Sequence, residues 1–545
     1  MKYLYDIFSD ALVKIGAEGA DLLYFEEPKN QDFGDFSTNI AMKLAKQLKK
    51  SPMAIANEII NNLEYNPEKV SNISVAGAGF INIKLSEKYW TELLSEILIQ
   101  RENFGKNTIY SGKTANVEYV SVNPTGLLHI GHGRNAVVGD TVANLLEWTG
   151  YDVTREYYFN NAGNQMKVLA DSIYARYMQL FVDKDFPFPE DGYYGDYVKE
   201  IASDLYKSFG DKLKKGDFQD LSQIRKFGEN WCFQKIKATL EKLNIKQDVF
   251  FNEDSLYKEG KIKELIEYFK SNNLAYEKDG ALWLALSRMG LQEDRVIVKS
   301  SGEPTYRLPD IAYHREKFER NFDLIVDLFG ADHIATYPDV LAALKAMGYD
   351  TDKIKVLIHQ FVTLTENGEQ VKMSKRTGKS YTLDELIDEV GPDVVRFFLL
   401  MRSINTHLEF DLSLAKEQSE KNPVFYLQYA HARICSIIDK IKNENHQIID
   451  NPDLSVLTNP DEQNLIKQIY KFPSIILQAA NKFEPYILAE YLKEVASEFH
   501  IFYHNCRIIG SQIEIASARY ALCEATRFVL ANGLSILGVA APEKM

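Results

Sequence analysis

The sequence is short of cysteine, and what it has is scattered. Cys232, Cys435, Cys506 and Cys523 form no CxxC pair, so neither a zinc ribbon nor a disulfide framework is expected. Long apolar runs are missing too: no stretch approaches the ~20 residues of a membrane span. The N-terminal MKYLYDIFSD carries acids and lacks the apolar stretch of a secretory leader. Bases are in the minority, 63 against 77 acids for a net charge of −14. That argues against whole-surface binding to nucleic acid but leaves room for a local basic groove. Internal repeats and low-complexity tracts are absent. With 45% apolar and 26% charged residues, the composition is that of a soluble globular protein. The expectation is a reduced, cytoplasmic chain with no membrane association. At 545 residues it is too long for one core, and roughly three or four domains is the length prior.

What is present sorts by periodicity. Leu4, Ile7, Phe8, Ala11, Leu12 and Ile15 recur at helical spacing, and Gly16 can close that helix. Ser51-Pro52 is a good N-cap and first-turn pair for a second helix with Ile55, Ile59 and Leu63 inward. FINIKLS alternates like a strand after the turn-rich AGAG. These features predict a small α+β domain over residues 1–112. From about Asn422 the pattern is helical to the end, through YLQYAHARICSIIDKI and RYALCEATRFVLANGLSILG, which predicts an all-α bundle over 421–545. Between them, ANVEYVSV (Ala115 to Val122) reads as a strand that Pro124 and Gly126 break. Val137, Val138, Val142, Leu145 and Leu146 then follow at helical spacing, Gly150 ends the run, and YDVTREYY reads as the next strand. This is a βαβ unit. DLIVDLFG (Asp323 to Gly330) and KIKVLIHQ (Lys353 to Gln360), with the helical PDVLAALKAMG between them, make a second. The fold class expected for the middle, residues 113–420, is Rossmann-like α/β.

The stretch NPTGLLHIGHGRNAVVGD places His129 and His132 at the turn and first helical residues of the first unit. A helix N-terminus exposes unpaired N–H groups and is a natural seat for phosphate. Gly131 and Gly133 would let a ligand approach. The stretch is neither GxxxxGK[ST] nor GxGxxG. Zinc would need more ligands, and a metalloprotease pair stands at i, i+4 around a glutamate. Plain helix capping is the remaining reading, and spacing alone leaves all of these open. A second stretch, VKMSKRTGKS, packs Lys372, Lys375, Arg376 and Lys379 among small polar residues. Alone it reads as a solvated loop. Following the second βαβ half, it reads as a basic loop facing the histidines across a nucleotide at the topological switch point.

HIGH at His129–His132, with KMSKR at Lys372–Arg376, resembles the signature pair of the class I aminoacyl-tRNA synthetases. The flanks VEYVSVNPTG, REYYFNNAGNQ, PTYRLPDIAYH, LFGADH, YLQYAHAR and LANGLSILGVAAPEKM resemble the arginyl-tRNA synthetases of the bacterial kind. The likeness covers essentially the whole chain, including GDFSTNIAMKLAK. It implies a catalytic domain over 113–420 with a helical insertion at about 164–292. The N-terminal domain would meet the outer corner of the tRNA, and the bundle would bind the anticodon.

The resemblance also implies a reaction. Arginine and ATP give arginyl-adenylate and pyrophosphate, the arginyl group passes to the 3′ terminal ribose of tRNA, and the activation step needs tRNA. Because the attacking carboxylate is already ionised, positioning and relief of negative charge matter more than a strong base. His129, His132, Lys372 and Lys375 are the implied catalytic residues. Together with Gly131, Asp332 and His333 they would hold ATP, with magnesium as its substrate complex. No zinc and no tightly bound organic cofactor are implied. Tyr306 and Asp310 would meet the guanidinium of arginine, with Glu118 and Asn123 nearby. Helix capping is the plain alternative for Asp310. Tyr429, Tyr503 and Met545 are the anticodon candidates, with bundle core as the alternative for the tyrosines. The partners implied are the arginine tRNA, L-arginine and ATP, and the protein is expected to be a monomer. Some arginyl enzymes lack the second loop lysine and carry a lysine just before HIGH. Here Lys375 is present and Thr125-Gly126-Leu127 precedes the motif. A small-molecule nucleotidyltransferase also places an HxGH pair at a helix start, but it needs no long C-terminal bundle.

Overall fold

Helix α1 (Lys2–Lys14) opens the chain and buries Leu4, Ile7, Phe8, Ala11 and Leu12, and Gly16 turns the backbone beyond it with φ 69°. The computed structural model describes residues 2–18, 22–26, 28, 30–331, 334–371, 381–444 and 446–545. Strands β1 (Phe36–Thr38), β2 (Val70–Ala76) and β3 (Phe80–Leu85) form an antiparallel sheet in the order β1-β3-β2. Helices α2 (Ile40–Leu48), α3 (Pro52–Asn62) and α4 (Glu87–Gln100) accompany it. Ser51 caps α3 by accepting a hydrogen bond from Ala54 N at 3.3 Å. Ile55 and Ile59 are buried, while Leu63 stands just past the helix, half-buried.

The middle of the chain builds a parallel sheet. Strand β4 (Thr114–Glu118), helix α5 (Ile130–Trp148) and strand β5 (Asp152–Phe159) form the first βαβ unit. The strand read from sequence as Ala115 to Val122 stops at Glu118. Val120 and Ser121 have φ of 69° and 44°, a conformation that a β-branched residue adopts only when its surroundings impose it.

The segment expected to be one helical insertion, about 164–292, is divided. Helices α6 (Asn164–Phe181), α7 (Asp196–Phe209) and α8 (Phe218–Lys242) enclose a core of their own around Met166, Ile173, Ile201 and Ile224. The chain then returns to the sheet as β6 (Val249–Asn252), paired in parallel with β5. After α9 (Asp254–Lys258) and α10 (Lys261–Ser271), strands β7 (Ala275–Lys278), β8 (Ala281–Leu284) and β9 (Arg295–Val298) make a small antiparallel sheet. Runs of four residues are too short for periodicity to separate strand from helix.

Helix α11 (Arg307–Glu319) leads to the second half: β10 (Leu324–Gly330), α12 (Tyr337–Ala346) and β11 (Ile354–His359). The sheet order is β11-β10-β4-β5-β6. From β4 the chain moves outward to β5 and β6, then returns to the other side for β10 and β11. That reversal opens a crevice at the carboxyl ends of β4 and β10. Strands β12 (Val362–Glu366) and β13 (Glu369–Gln370), helices α13 (Leu383–Val390) and α14 (Pro392–Leu400), strand β14 (Leu408–Asp411) and helix α15 (Leu412–Ala415) complete this part.

The C-terminal helices are α16 (Pro423–Asn443), α17 (Pro460–Tyr470), α18 (Phe472–Lys482), α19 (Tyr486–Asn505) and α20 (Ile513–Leu537). Asn422 caps α16 through its side-chain oxygen, which accepts from Val424 N at 3.0 Å. One core runs from Phe8 through Val137 to Leu530, so the bundle is packed onto the rest of the molecule. Polar ties reinforce it. Lys467 Nζ meets Asp35 at 2.7 Å, and Asn144 Nδ2 donates to Ile536 O at 2.9 Å. Among the described residues, no helix is long and apolar enough to cross a membrane.

Candidate active site

The first turn of α5 is capped by its own histidines. His129 Nδ1 accepts from Gly131 N at 3.1 Å and from His132 N at 3.4 Å, and His132 Nδ1 accepts from His129 N at 3.3 Å. The rings stack with centroids 3.5 Å apart. With Nδ1 accepting, a neutral imidazole carries its proton on Nε2. Capping therefore falls to Nδ1 and the ring N–H to Nε2, so a capping role does not compete with a phosphate-binding one. The Gly131 N–H is engaged inside the turn. Gly133 is needed for close packing, since a Cβ there would lie 2.8 Å from Leu383 Cδ1. Among the described residues, no group of three or more His, Cys, Asp or Glu could hold a metal ion.

The chain just after the basic motif is tied to this turn. Lys372 and Lys375 lie outside the described residues, as do Asp332 and His333. Upstream, Val371 N donates to Leu364 O at 2.9 Å. Downstream, Leu383 N donates to Leu128 O at 2.8 Å, and Thr382 pairs with His129 in an antiparallel bridge. Thr382 and Glu385 then form a reciprocal capping box for α13. The residues just after KMSKRTGKS are thus hydrogen-bonded to the residues that begin HIGH.

The left-handed turn after β4 is clamped from several sides. Asn135, on α5, accepts from Val120 N at 2.5 Å and donates to Leu328 O, on β10, at 2.9 Å. Ser121 Oγ donates to Glu118 at 2.9 Å and accepts from Tyr158 N at 3.1 Å. Asn123 accepts from Asn160 N and donates to Gln165 Oε1, each at 2.9 Å.

Below the crevice, Asp327, Glu118 and Glu156 stand in register on the neighbouring strands β10, β4 and β5. Three buried carboxylates side by side need counter-charge, and α11 brings it. Lys317, fully buried, contacts Glu118 and Asp327 at 2.5 Å each. His314 Nε2 meets Asp327 at 3.0 Å. Arg320 grips Glu156 with two hydrogen bonds of 2.6 and 2.9 Å, and Tyr313 OH donates to the same carboxylate at 2.6 Å. Burial alone would raise the Glu156 carboxyl, but Arg320 and Lys317 hold it below the usual range.

Asp310 lies one turn before His314 on α11 and is treated differently. Burial, with Glu118 and Glu253 beside it, pushes its carboxyl up to about 7 against the pull of His314 and Arg307. Glu253 is buried and accepts from neutral donors, Tyr158 OH at 2.5 Å and Asn160 Nδ2 at 2.7 Å. Its carboxyl is likewise raised, chiefly by burial. Asp310 and Glu253 are therefore the two carboxyls of this cluster that burial holds toward the neutral form. Glu118, expected beside arginine, meets Lys317 and Ser121. Tyr306 sits at the start of α11 and is 77% exposed. Sequence reasoning missed Glu253 and Lys317. Glu253 falls in the unrecognised β6 region, and Lys317, within REKFER, has the local sequence of a surface lysine.

On the bundle, Tyr429 of α16 and Tyr503 of α19 are half-buried and share Arg433. Its guanidinium donates to Tyr429 OH at 3.2 Å and lies 4.6 Å from the Tyr503 ring centroid. Met545 is exposed at the terminus.

Comparison with known proteins agrees with this architecture. Residues 2–85 match the family described as arginyl tRNA synthetase N terminal domain, residues 93–397 tRNA synthetases class I (R), catalytic domain, and residues 427–545 DALR anticodon binding domain. An arginine–tRNA ligase of Salinibacter ruber is 50% identical over 537 residues, covering 95% of each chain. One from Desulfotalea psychrophila is 46% identical, covering 97% of this chain and 95% of that one. The solved arginyl-tRNA synthetase of Thermus thermophilus, 22% identical, matches in fold with a TM-score of 0.78 over 100% of both chains. Matched by sequence along nearly its whole length, the chain belongs to the arginyl-tRNA synthetases of class I.

Proposed function

We propose that this protein attaches L-arginine to its cognate tRNA in two steps, through arginyl-adenylate, with ATP converted to AMP and pyrophosphate. The observation that carries the reading is the Leu383–Leu128 hydrogen bond with the His129–Thr382 bridge. It ties the residues just after the basic stretch to the start of the histidine stretch, at the crevice where a nucleotide binds in such sheets. His129 and His132 donate from Nε2 to the triphosphate, Gly131 keeps the turn narrow, and Lys372 and Lys375 neutralise the departing pyrophosphate. Asp332 and His333 hold the adenosine. Magnesium enters as part of the ATP complex, and the chemistry draws on no zinc or bound organic cofactor.

Arginine enters guanidinium first. Asp310 is its carboxylate acceptor, Tyr306 closes the rim, and Asn123 and Glu118 line the turn beside it. Guanidinium binding favours planar, paired acceptors, and Asp310 and Glu253 are neighbouring carboxyls, raised by burial, that a guanidinium would draw into the charged form. The N-terminal domain, residues 1–112, meets the outer corner of the tRNA. The catalytic domain spans 113–420, and the bundle, 421–545, meets the anticodon through Tyr429, Tyr503 and Met545, since half-exposed aromatics can stack on unpaired bases. The protein acts as a cytoplasmic monomer. The test is charging of purified total tRNA with each of the twenty amino acids in turn. Arginine alone is expected to give signal, and charging by another amino acid would refute the assignment.

A further inference from the structure

Arg134 follows His132 by two positions on α5 and is fully buried. Its guanidinium donates to three backbone carbonyls: Gln360 O at 2.8 Å, Thr406 O at 2.9 Å and Ser403 O at 2.9 Å. Gln360 N in turn donates to Ile404 O at 3.0 Å. The helix that carries the histidines is thereby fastened to the loop between α14 and β14. That loop leads into β14, which pairs with β12 from Val362↔Leu408 onward, and β12 precedes the basic motif. The supports of both signature stretches meet at residues 403–406.

The other side of this loop is held by the bundle. Glu484, between α18 and α19, accepts from Ser403 Oγ at 2.7 Å and from Ile404 N at 3.2 Å. It is also the carboxylate whose charge reaches Arg134. Burial draws the Arg134 guanidinium down to about 10, and Glu484 opposes that. A buried cation bonded only to neutral carbonyls depends on its nearest counter-charge. Here that charge comes from the bundle, across a loop.

We propose that Glu484 is a positioning residue for the activation step, holding the 403–406 loop against Arg134 and so fixing the helix that presents His129 and His132. The proposal rests on the function proposed above. Losing Glu484 leaves Ile404 N unpaired and Arg134 without its counter-charge, and the helix start can shift. Misplacement of reacting groups by about an ångström can cost on the order of a hundredfold in rate.

The test uses full-length protein with purified arginine tRNA, arginine and ATP. For Glu484→Ala, kcat of aminoacylation and the single-turnover rate of adenylate formation are expected to fall at least about tenfold, with KM for tRNA within about twofold of the parent. Glu484→Gln keeps an acceptor for Ser403 and should recover part of the loss. Ser403→Ala removes one of the two contacts and should show a smaller defect of the same kind. If Glu484→Ala does not fold, these two variants decide. Unchanged kcat in all variants, or a raised tRNA KM with kcat intact, would overturn the positioning role. A parent protein that charges no arginine would instead overturn the functional reading itself.

Discussion

His129 and His132 cap one helix reciprocally, each offering Nδ1 to a backbone N–H of the other, 3.4 Å in one direction and 3.3 Å in the other. The pair caps the helix through Nδ1, and the donation to phosphate proposed for it would use Nε2, so substitution can separate the two. His129→Asn keeps a side-chain acceptor suited to an N-cap but removes the Nε2 donor. It should fold with little loss of stability and activate arginine about a hundredfold more slowly, the usual effect of deleting one transition-state donor. His129→Ala should lose both, with roughly 1 kcal/mol of additional destabilisation from the missing cap. Urea unfolding beside single-turnover adenylation separates the effects. Equal rates for parent and His129→Asn in folded protein would mean that the ring only caps.

Asp310 gives a pH dependence with a definite sign. Its carboxyl is raised to about 7, whereas the unfolded chain titrates near ~3.9. Between those values the folded protein holds a proton that the unfolded one does not. This group's contribution to stability is therefore largest in acid and is lost as pH rises toward 7. Arginine binding runs the other way, because a guanidinium needs the carboxylate and must expel that proton. Affinity for arginine should fall as pH drops below about 7, with a proton released on binding. Asp310→Asn should bind weakly at every pH with ATP affinity nearly unchanged. Calorimetry in buffers of different ionisation enthalpy reads the proton directly, and a flat pH profile in the parent would remove Asp310 from the guanidinium site.

Lys317 holds a buried row of carboxylates together, and its loss should be severe. Removing one partner of a buried ion pair typically costs roughly 3–5 kcal/mol, and Lys317 serves both Glu118 and Asp327. Lys317→Met is expected to destabilise the protein by about that much at neutral pH. The deficit should shrink in acid as the orphaned carboxylates protonate. A denaturation midpoint close to the parent's at pH 7 would contradict this view of α11.

Much of the architecture was legible because long periodic elements declare themselves. The paired βαβ halves around α5 and α12, the Ser51 cap and the helical C-terminus all follow from spacing. The histidine turn was legible in position, though not in geometry: spacing could not say that each Nδ1 would be occupied by the turn itself. The missed features are short or depend on distant neighbours. VFFN is a four-residue edge strand inside helical sequence. The left-handed turn at Val120 and Ser121 is imposed by Asn135 and Glu118, which no local preference reveals. Lys317 is buried only because three strands bring carboxylates beneath it, and its pairing with Glu118 is equally invisible in the local sequence.

The bundle and the catalytic part are one packed body, and that bears on how tRNA can control activation. Arg396 donates to Leu537 O at 2.8 Å, to Leu243 O at 2.7 Å and to Asp140 at 2.6 Å, joining the end of α20 to α8 and α5. A Cβ at Gly538, whose φ is 68°, would collide with that guanidinium. Truncation after about Asn422 would open a shared core, so the informative change is in the RNA. If activation needs tRNA, contacts on the bundle and the N-terminal domain must favour the arrangement in which Asp310 and the basic motif are correctly set. A ligand shifts such an equilibrium only by binding one arrangement more tightly. Arginine-dependent exchange of pyrophosphate into ATP should be near background without RNA and should appear with intact arginine tRNA. It should stay near background with an acceptor-stem minihelix, which cannot reach the bundle. Strong exchange with no RNA present would refute the coupling and leave the adenylation chemistry standing. Full exchange with the minihelix would place the control at the acceptor end, away from Tyr429 and Tyr503.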